Sequence, residues 1–148
     1  MITGVEFDFV VKDSLAALED YQAIFDDLKV VEATQYQQGL NEVVFTLYDV
    51  RFHLMDENPE YGLLAPHEGS PQSFWFNITV PDINKTYQQA LDRGVTEIQG
   101  INHLEEMGVS NAIFADQYGY VWMLHQIHKI ISFEERTAHL ENQNNPQD

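Results

Sequence analysis

The sequence predicts an α+β protein made of two βαβββ modules with mixed sheets, and three observations support this fold class. Short segments alternate apolar and polar residues with the period of a strand, and two longer segments have helical spacing. The same order of elements occurs twice along the 148 residues, which indicates an internal repeat. Hydrophobic residues make up 44% of the chain, which is enough for a folded core.

The first repeat has the order β-α-β-β-β. Residues 4–11 alternate in the way of a half-buried strand. Asp13 or Ser14 is a typical helix N-cap, and the apolar residues after it predict a helix of about 14 residues. Further strand patterns follow at residues 29–36, 42–48 and 50–55.

The second repeat has the same order of elements. Residues 73–80 have a strand pattern, and Asp82, which follows Asp13 by 69 positions, is predicted to cap a second helix. Gly94 is a typical stop for that helix. Further strand patterns follow at residues 95–99, 109–115 and 120–127.

We therefore predict a single domain over residues 1–128. Its two modules cover about 4–56 and 73–127, joined by a linker at 57–72 that is rich in turn-forming residues. Because one module of this size buries little surface alone, we expect the two sheets to meet edge to edge or face to face around a cleft.

Residues 129–148 are predicted to form a C-terminal helix and a tail. Ser132 followed by Glu135 is a capping-box pattern, which favours a short helix from about this point. This helix can pack on its own domain or on a second subunit. The polar composition of residues 142–148 predicts disorder.

The charge excludes several classes of function. The chain has 24 acidic and 7 basic residues, so its formal net charge is −17. Phosphate recognition needs clustered Lys and Arg, so nucleic acid and anionic membranes are not expected partners.

The chain has no Cys, which excludes disulfides and cysteine zinc sites. With no apolar run of membrane-spanning length and no secretory signal pattern, we expect a cytoplasmic protein.

Several motifs resemble the vicinal oxygen chelate superfamily, which contains glyoxalase I, bleomycin-resistance proteins and extradiol dioxygenases. The strongest is Asp-Gln-Tyr-Gly-Tyr-Val-Trp at residues 116–122, similar to an Asp-x-(Phe/Tyr)-Gly-x-x-Trp signature of the PhnB-like branch. Residues 13–25, 54–59 and 107–110 add to the likeness, which covers about residues 4–128. The resemblance implies a glyoxalase-like fold, a ligand cleft and a homodimer.

The resemblance also implies a test for a metal site. Metal enzymes of the superfamily hold a divalent ion with four ligands on the first and last strands of the two modules. Aligning the repeats places those positions at Glu6, His53, Trp75 and Met123. Trp75 cannot ligate a metal, and Met123 is a poor ligand for a hard cation. The set is incomplete, so no cofactor is predicted, with a divalent metal kept as the weaker alternative.

Strand alternation gives a larger candidate pocket. Four strands place their polar residues on one face, which is either a cavity lining or the solvated side of an open sheet. The predicted pocket residues are Glu6, Asp8, Arg51, His53, Trp75, Asn77, Met123 and His125. The opposite face is almost wholly apolar and is expected to pack under the helices; it contains Phe7, Phe9, Phe52, Leu54, Phe74, Phe76, Ile78, Trp122 and Leu124.

Three functions follow from this pocket. The first is binding of a small organic ligand, as in bleomycin-resistance proteins, with Trp75 stacking on a flat molecule. The second is a lyase or isomerase for a small oxygenated substrate, with Glu6 and His53 as metal ligands or as acid and base. The third is an interaction module that uses the acidic surface. His53 can also serve as a hydrogen-bonding group without chemistry, so the sequence leaves open whether the chain is an enzyme.

Overall fold

The structure is a computed structural model and describes residues 2–144. Its strands are β1 (Glu6–Val11), β2 (Lys29–Ala33), β3 (Glu42–Leu47), β4 (Val50–Asp56), β5 (Phe76–Thr79), β6 (Thr96–Leu104), β7 (Val109–Ala115) and β8 (Val121–Ile127). Its α-helices are α1 (Ser14–Ile24), α2 (Ile83–Asp92) and α3 (Phe133–Asn144). The predicted βαβββ repeat and the C-terminal helix are therefore confirmed.

The two modules form separate four-stranded sheets with the same topology. The strand order is β1-β4-β3-β2 in the first sheet and β5-β8-β7-β6 in the second. The first strand of each module runs parallel to the last, while the remaining neighbours are antiparallel. Both sheets are thus mixed, and β1 and β5 lie at sheet edges.

The two helices after the first strands begin in the same way. Asp13 accepts a hydrogen bond from the backbone N–H of Ala16 at 3.0 Å, and Asp82 accepts one from Lys85 at 3.1 Å. Each carboxylate satisfies a donor of the first helical turn, which would otherwise have no partner within the helix. The predicted caps are therefore confirmed in both modules.

The helix ends differ from the sequence prediction in the first module. α1 has 11 residues and stops at Ile24, because Phe25 turns to an extended conformation with φ −110° and ψ 107°. That turn sends Phe25 into the core, where its ring lies 5.1 Å from Trp122. Burial of Phe25 in the core therefore outweighs the helical spacing of apolar residues that predicted a longer helix.

One hydrophobic core joins the two modules on the helix-covered faces of the sheets. Phe9 of β1 and Phe76 of β5 have ring centroids 5.2 Å apart, and Tyr21 of α1 lies 5.2 Å from Trp122 of β8. Asp116 sits inside this core and accepts hydrogen bonds from the Tyr21 hydroxyl at 2.5 Å and the Trp122 indole at 2.9 Å. The two modules therefore share one core.

Three element boundaries correct the sequence prediction. β6 runs from Thr96 to Leu104 instead of 95–99, because register shifts against β7 let the pairing continue past the interruptions. β5 begins at Phe76, so residues 73–75 lie outside the expected strand. α3 extends to Asn144, so residues 142–144 are helical; the predicted disorder at 145–148 lies outside the described residues.

Candidate functional site

Charged side chains meet on the polar face of β1 and β4. Arg51 Nε donates a hydrogen bond to Glu6 Oε2 at 2.9 Å. His53 Nδ1 lies 3.4 Å from Glu6 Oε1 and 3.6 Å from Asp8 Oδ2. The parallel register pairs Glu6 with Arg51 and Asp8 with His53, so two neighbouring strands bring all four together. We call these four residues the β1–β4 cluster.

The two carboxylates of the β1–β4 cluster have pKa values displaced in opposite directions. The hydrogen bond from Arg51 lowers the pKa of Glu6, and the neighbouring Asp8 and His53 lower it further. Burial is the main cause that raises the pKa of Asp8, and the adjacent Glu6 raises this pKa further. Glu6 therefore stays ionised to lower pH than Asp8, and such divergence between paired carboxylates suits separate acid and base roles.

The β1–β4 cluster also has donors for a divalent cation. One ligand atom each from Glu6, Asp8 and His53 lies within 4.8 Å of the others. His53 Nε2 is buried and makes no hydrogen bond to any residue within 2–144, although Glu42 Oε2 lies 3.5 Å away. Carboxylate and imidazole donors suit ions such as Mg²⁺, Mn²⁺ and Zn²⁺, so these residues fit a metal with open coordination positions.

This group differs from the four-ligand set that the resemblance implies. Glu6 and His53 occupy two of the four positions. The third donor is the carboxylate of Asp8, which lies two residues after Glu6 on the same face of β1. Trp75 lies before β5 with 58% of its surface exposed, and Met123 lies in β8. Neither supplies a hard donor, so three residues of the first module form the metal-binding candidate.

Asn77 and His125 form a separate pair on the second sheet. His125 Nδ1 lies 2.6 Å from Asn77 Oδ1. Burial lowers the pKa of His125, so its imidazole is neutral at pH 7. The predicted pocket residues thus fall into two groups, the β1–β4 cluster and this pair, with Trp75 and Met123 outside both.

An open cavity of about 520 Å³ lies where β1 and β4 meet the start of β5. We call it the aromatic cavity, because six rings line it: Phe7, Tyr48, Phe52, Phe74, Trp75 and Phe76. Asn77 adds an amide to the apolar lining. Its size and composition are typical of small-molecule sites, which are mostly apolar with a few polar groups that fix orientation.

The aromatic cavity corrects one prediction about the apolar strand faces. Phe7 and Phe74 were expected to pack under the helices, but they are 51% and 54% exposed. Both lie near the strand starts, beyond the buried cluster that contains Phe9 and Phe76. The helices cover only part of each sheet, and the uncovered aromatic residues line the cavity.

Sequence reasoning identified Trp75 and Asn77 but missed the other residues of this cavity. Tyr48 enters it from the β3–β4 turn, where it and Asp49 have positive φ angles of 48° and 64°. The run of three aromatic residues at 74–76 was the available signal, since a single strand face would bury only alternate residues.

Comparison of the structure with solved structures identifies its architecture. FosX, a fosfomycin-resistance protein from Listeria monocytogenes solved with Mn(II) and sulfate, has a TM-score of 0.66 at 15% identity. The likeness covers 95% of this chain and 99% of FosX. The chain has the glyoxalase/bleomycin-resistance fold. The fold that the sequence motifs imply is therefore confirmed.

Two further structures share the glyoxalase/bleomycin-resistance fold with this chain. The PhnB protein from Bacillus cereus has a TM-score of 0.63 at 16% identity and covers 84% of this chain and 99% of its own. TioX from Micromonospora sp. ML1 has a TM-score of 0.60 at 12% identity, with coverage of 85% and 100%. No family model and no curated protein sequence matches the chain. The likeness therefore establishes the fold and leaves the activity to the residues of the site.

None of the helices within residues 2–144 has both the length and the hydrophobicity needed to cross a membrane.

Proposed function

We propose that the protein binds a small, flat organic molecule in the aromatic cavity. The observation that carries this proposal is the exposure of three large rings in one cavity: Phe7, Phe74 and Trp75 are each more than half exposed. Clustered exposed apolar surface is uncommon on soluble proteins and is typical of binding sites. A ligand that stacks on these rings removes that surface from water and gains offset or edge contacts.

The charge of the surroundings favours a neutral or cationic ligand. No charged residue within 2–144 lines the aromatic cavity, and the chain carries a formal charge of −17. An anion would be repelled by this body without a compensating cation in the cavity. Asn77 offers an amide that can orient a polar substituent of the ligand.

A fluorescent probe tests ligand binding. N-phenyl-1-naphthylamine is flat, neutral and bright only in apolar surroundings, so its emission should rise when it is titrated into the protein. Trp75→Ala should weaken its affinity at least tenfold, or about 1.4 kcal/mol, because a stacking surface is lost. The other tryptophan, Trp122, is fully buried and bonded to Asp116, so the tryptophan emission that remains in Trp75→Ala is that of Trp122.

The matched control is Tyr36→Ala, which removes an aromatic residue that is 67% exposed and lies outside the aromatic cavity. This variant should bind the probe as the wild type does. Equal affinity of the wild type and Trp75→Ala would contradict the proposal.

A second candidate function is supported by the β1–β4 cluster. There we propose chemistry on a small oxygenated substrate, in which Glu6, Asp8 and His53 act either as ligands of a divalent cation or, without a cation, as acid and base. A cation at this place would polarise an oxygen of the substrate. Three donors converge here, and His53 Nε2 is buried without a hydrogen-bond partner among residues 2–144; both observations favour this function over a purely structural ion-pair network.

The residues of the β1–β4 cluster have distinct parts in this chemistry. Arg51 holds Glu6 ionised through its hydrogen bond, so Glu6 is the carboxylate suited to hold a cation. The raised pKa of Asp8 makes it the stronger base of the two carboxylates, so in the absence of a cation it is the group suited to exchange a proton with the substrate. His53 lies between the two carboxylates and orients them.

We also propose that the protein acts in the cytoplasm as a homodimer. The absence of Cys suits a reducing compartment, and the outer sheet edges at β2 and β6 can be covered by a second copy without closing the aromatic cavity. Sedimentation of the purified protein tests the dimer. Twice the mass of one chain is the expected result, and a single-chain mass at micromolar concentration would contradict it.

A further inference from the structure

A second cavity, of about 360 Å³, lies between the second sheet and α3. The ends of β6, β7 and β8 line one side through Leu104, Val109 and Ile127, and residues 129–131 with Arg136 of α3 line the other. This cavity shares no lining residue with the aromatic cavity. We call it the α3 cavity.

The charge of the α3 cavity is opposite to that of the protein. Two of the seven basic residues of the chain, Lys129 and Arg136, line it, and no acidic residue within 2–144 does. Its third titratable residue, His125, is neutral at pH 7 because burial lowers its pKa. The lining of the α3 cavity therefore has two positive charges, on a protein with a formal net charge of −17.

Neither cation is neutralised within the part of the chain that the structure describes. Arg51, Lys85 and Arg93 each lie within 3 Å of a carboxylate oxygen, whereas Lys129 and Arg136 have no carboxylate within 4.0 Å among residues 2–144. Arg136 instead lies over the ring of Phe133, with its guanidinium carbon 5.9 Å from the centroid. Two unpaired cations at one cavity, on a chain with excess acid, are available for an anion from outside.

The rest of the α3 cavity is apolar and exposed. Ile127 and Ile130 are 55% and 88% exposed, and Met107 and Ile131 complete the aliphatic lining. An inorganic anion would leave this surface in water, whereas a ligand with a hydrocarbon body would cover it. The guanidinium group of Arg136 can bind a carboxylate through two parallel hydrogen bonds.

We propose that the α3 cavity binds an amphipathic organic anion, a carboxylate with a short aliphatic body. The carboxylate pairs with Lys129 and Arg136, and the body packs on the aliphatic residues from β6, β7 and β8. This ligand class is opposite in charge preference to that of the aromatic cavity, so the protein has two sites of different specificity.

Calorimetric titration with octanoate tests the proposal, with octan-1-ol as the uncharged probe of equal chain length. Wild-type protein should bind octanoate and should bind octan-1-ol at least tenfold more weakly, a difference of about 1.4 kcal/mol. The double variant Lys129→Gln with Arg136→Gln should lose at least tenfold in octanoate affinity. Equal binding of the two probes to the wild type, or no binding of octanoate, would overturn the proposal.

A charge-matched control separates the local site from the net charge. The double variant Lys12→Gln with Lys29→Gln removes the same two charges from exposed places outside the α3 cavity. Its octanoate affinity should change less than twofold, and a loss equal to that of the cavity variant would overturn the proposal. Trp75→Ala should keep wild-type octanoate binding, since loss of it would place the anion in the aromatic cavity.

Discussion

The two modules share a backbone plan but differ in the chemistry on their polar faces. Three positions at which the first module has charged or titratable residues, Glu6, Asp8 and His53, correspond in the second to Trp75, Asn77 and Met123. The first module thus gathers three potential metal ligands, and the second has an aromatic ring, an amide and a thioether. The repeat preserves the scaffold, while each module has its own binding chemistry.

The same contrast occurs where the last strand of each module meets its helix. In the first module, Asp56 Oδ1 accepts hydrogen bonds from Ser14 N at 2.7 Å and Ser14 Oγ at 2.6 Å. In the second, Gln126 Oε1 accepts one from Ile83 N at 2.9 Å. In both modules a side chain of the last strand accepts hydrogen bonds from the N-terminus of the helix. The acceptor is a buried carboxylate in the first module and a neutral amide in the second.

Asp56→Ala is expected to have the largest effect on stability. The second carboxylate oxygen of Asp56 also accepts from the backbone N–H groups of Gly39 and Asn41. Truncation leaves these donors and that of Ser14 without a partner, at about 1–3 kcal/mol for each buried group. We expect urea titration to show a fall of about 3–5 kcal/mol in the free energy of unfolding.

Gln126→Ala is the matched variant for the second module. It removes one acceptor, so the expected loss is about 1 kcal/mol. Equal losses in the two alanine variants would contradict the contrast between the charged and neutral links.

Metal binding is expected to depend on the first module alone. Titration of the protein with MnCl₂ in a calorimeter should show one site, and His53→Ala should weaken it at least tenfold, or about 1.4 kcal/mol. Met123→Ala changes the matching position of the second module and should leave Mn²⁺ affinity within twofold of wild type. If both variants bind as the wild type does, the β1–β4 cluster is not the metal site.

The pH dependence of stability should separate Asp56 from Asp116. Burial acts to raise the pKa of Asp56, but its hydrogen bonds from Ser14, Gly39 and Asn41 outweigh it and lower the pKa. A lowered folded-state pKa contributes stability above the ordinary value of 3.8, and that stability is lost as pH falls through the folded pKa. Asp56→Asn should therefore lose less stability than wild type between pH 5 and about pH 3.

Asp116 should show the opposite sign. Burial raises its pKa despite hydrogen bonds from Tyr21 and Trp122. Its contribution is present below the ordinary value of 3.8 and is lost as pH rises through the folded pKa. The free energy of unfolding of the wild type minus that of Asp116→Asn should accordingly fall from pH 3 to pH 7 in urea titrations. A rise in this quantity would contradict the assignment.

The smallest expected effect concerns the pair of Asn77 and His125. Burial places the pKa of His125 below its ordinary 6.5, so its NMR titration midpoint should lie below that value. Asn77→Ala removes a partially exposed hydrogen bond and opens the ring to solvent, so the midpoint should move up toward 6.5 at a stability cost under about 1 kcal/mol. A titration midpoint above 6.5 in the wild type would contradict a pKa of His125 lowered by burial.

Local patterns predicted the fold, because they depend on residues that are near one another in sequence. Asp13 and Asp82 are caps whose partners lie three residues away, and strand alternation identified the polar face of β1 and β4. The aromatic cavity depends on how far the helices extend over each sheet, and this was not visible in the alternation of Phe7 or Phe74. Tertiary packing decided which of the apolar residues were covered.

The α3 cavity was beyond sequence reasoning for the same reason. Lys129 and Arg136 lie on either side of a helix start, and their common cavity exists because residues 129–131 and Arg136 lie beside the ends of β6, β7 and β8. The capping pattern of Ser132 and Glu135 predicted the helix, and Ser132 Oγ indeed accepts from Glu135 N at 3.1 Å. The direction in which the helix packs depends on long-range contacts.

Ligand binding in the aromatic cavity is tested most directly by a crystal structure of the protein with N-phenyl-1-naphthylamine. We predict density for the probe between Phe7 and Trp75, stacked on at least one of these rings, in the cavity of about 520 Å³. Density for the probe elsewhere, or a cavity closed by side chains or by a second copy of the chain, would contradict the proposed function.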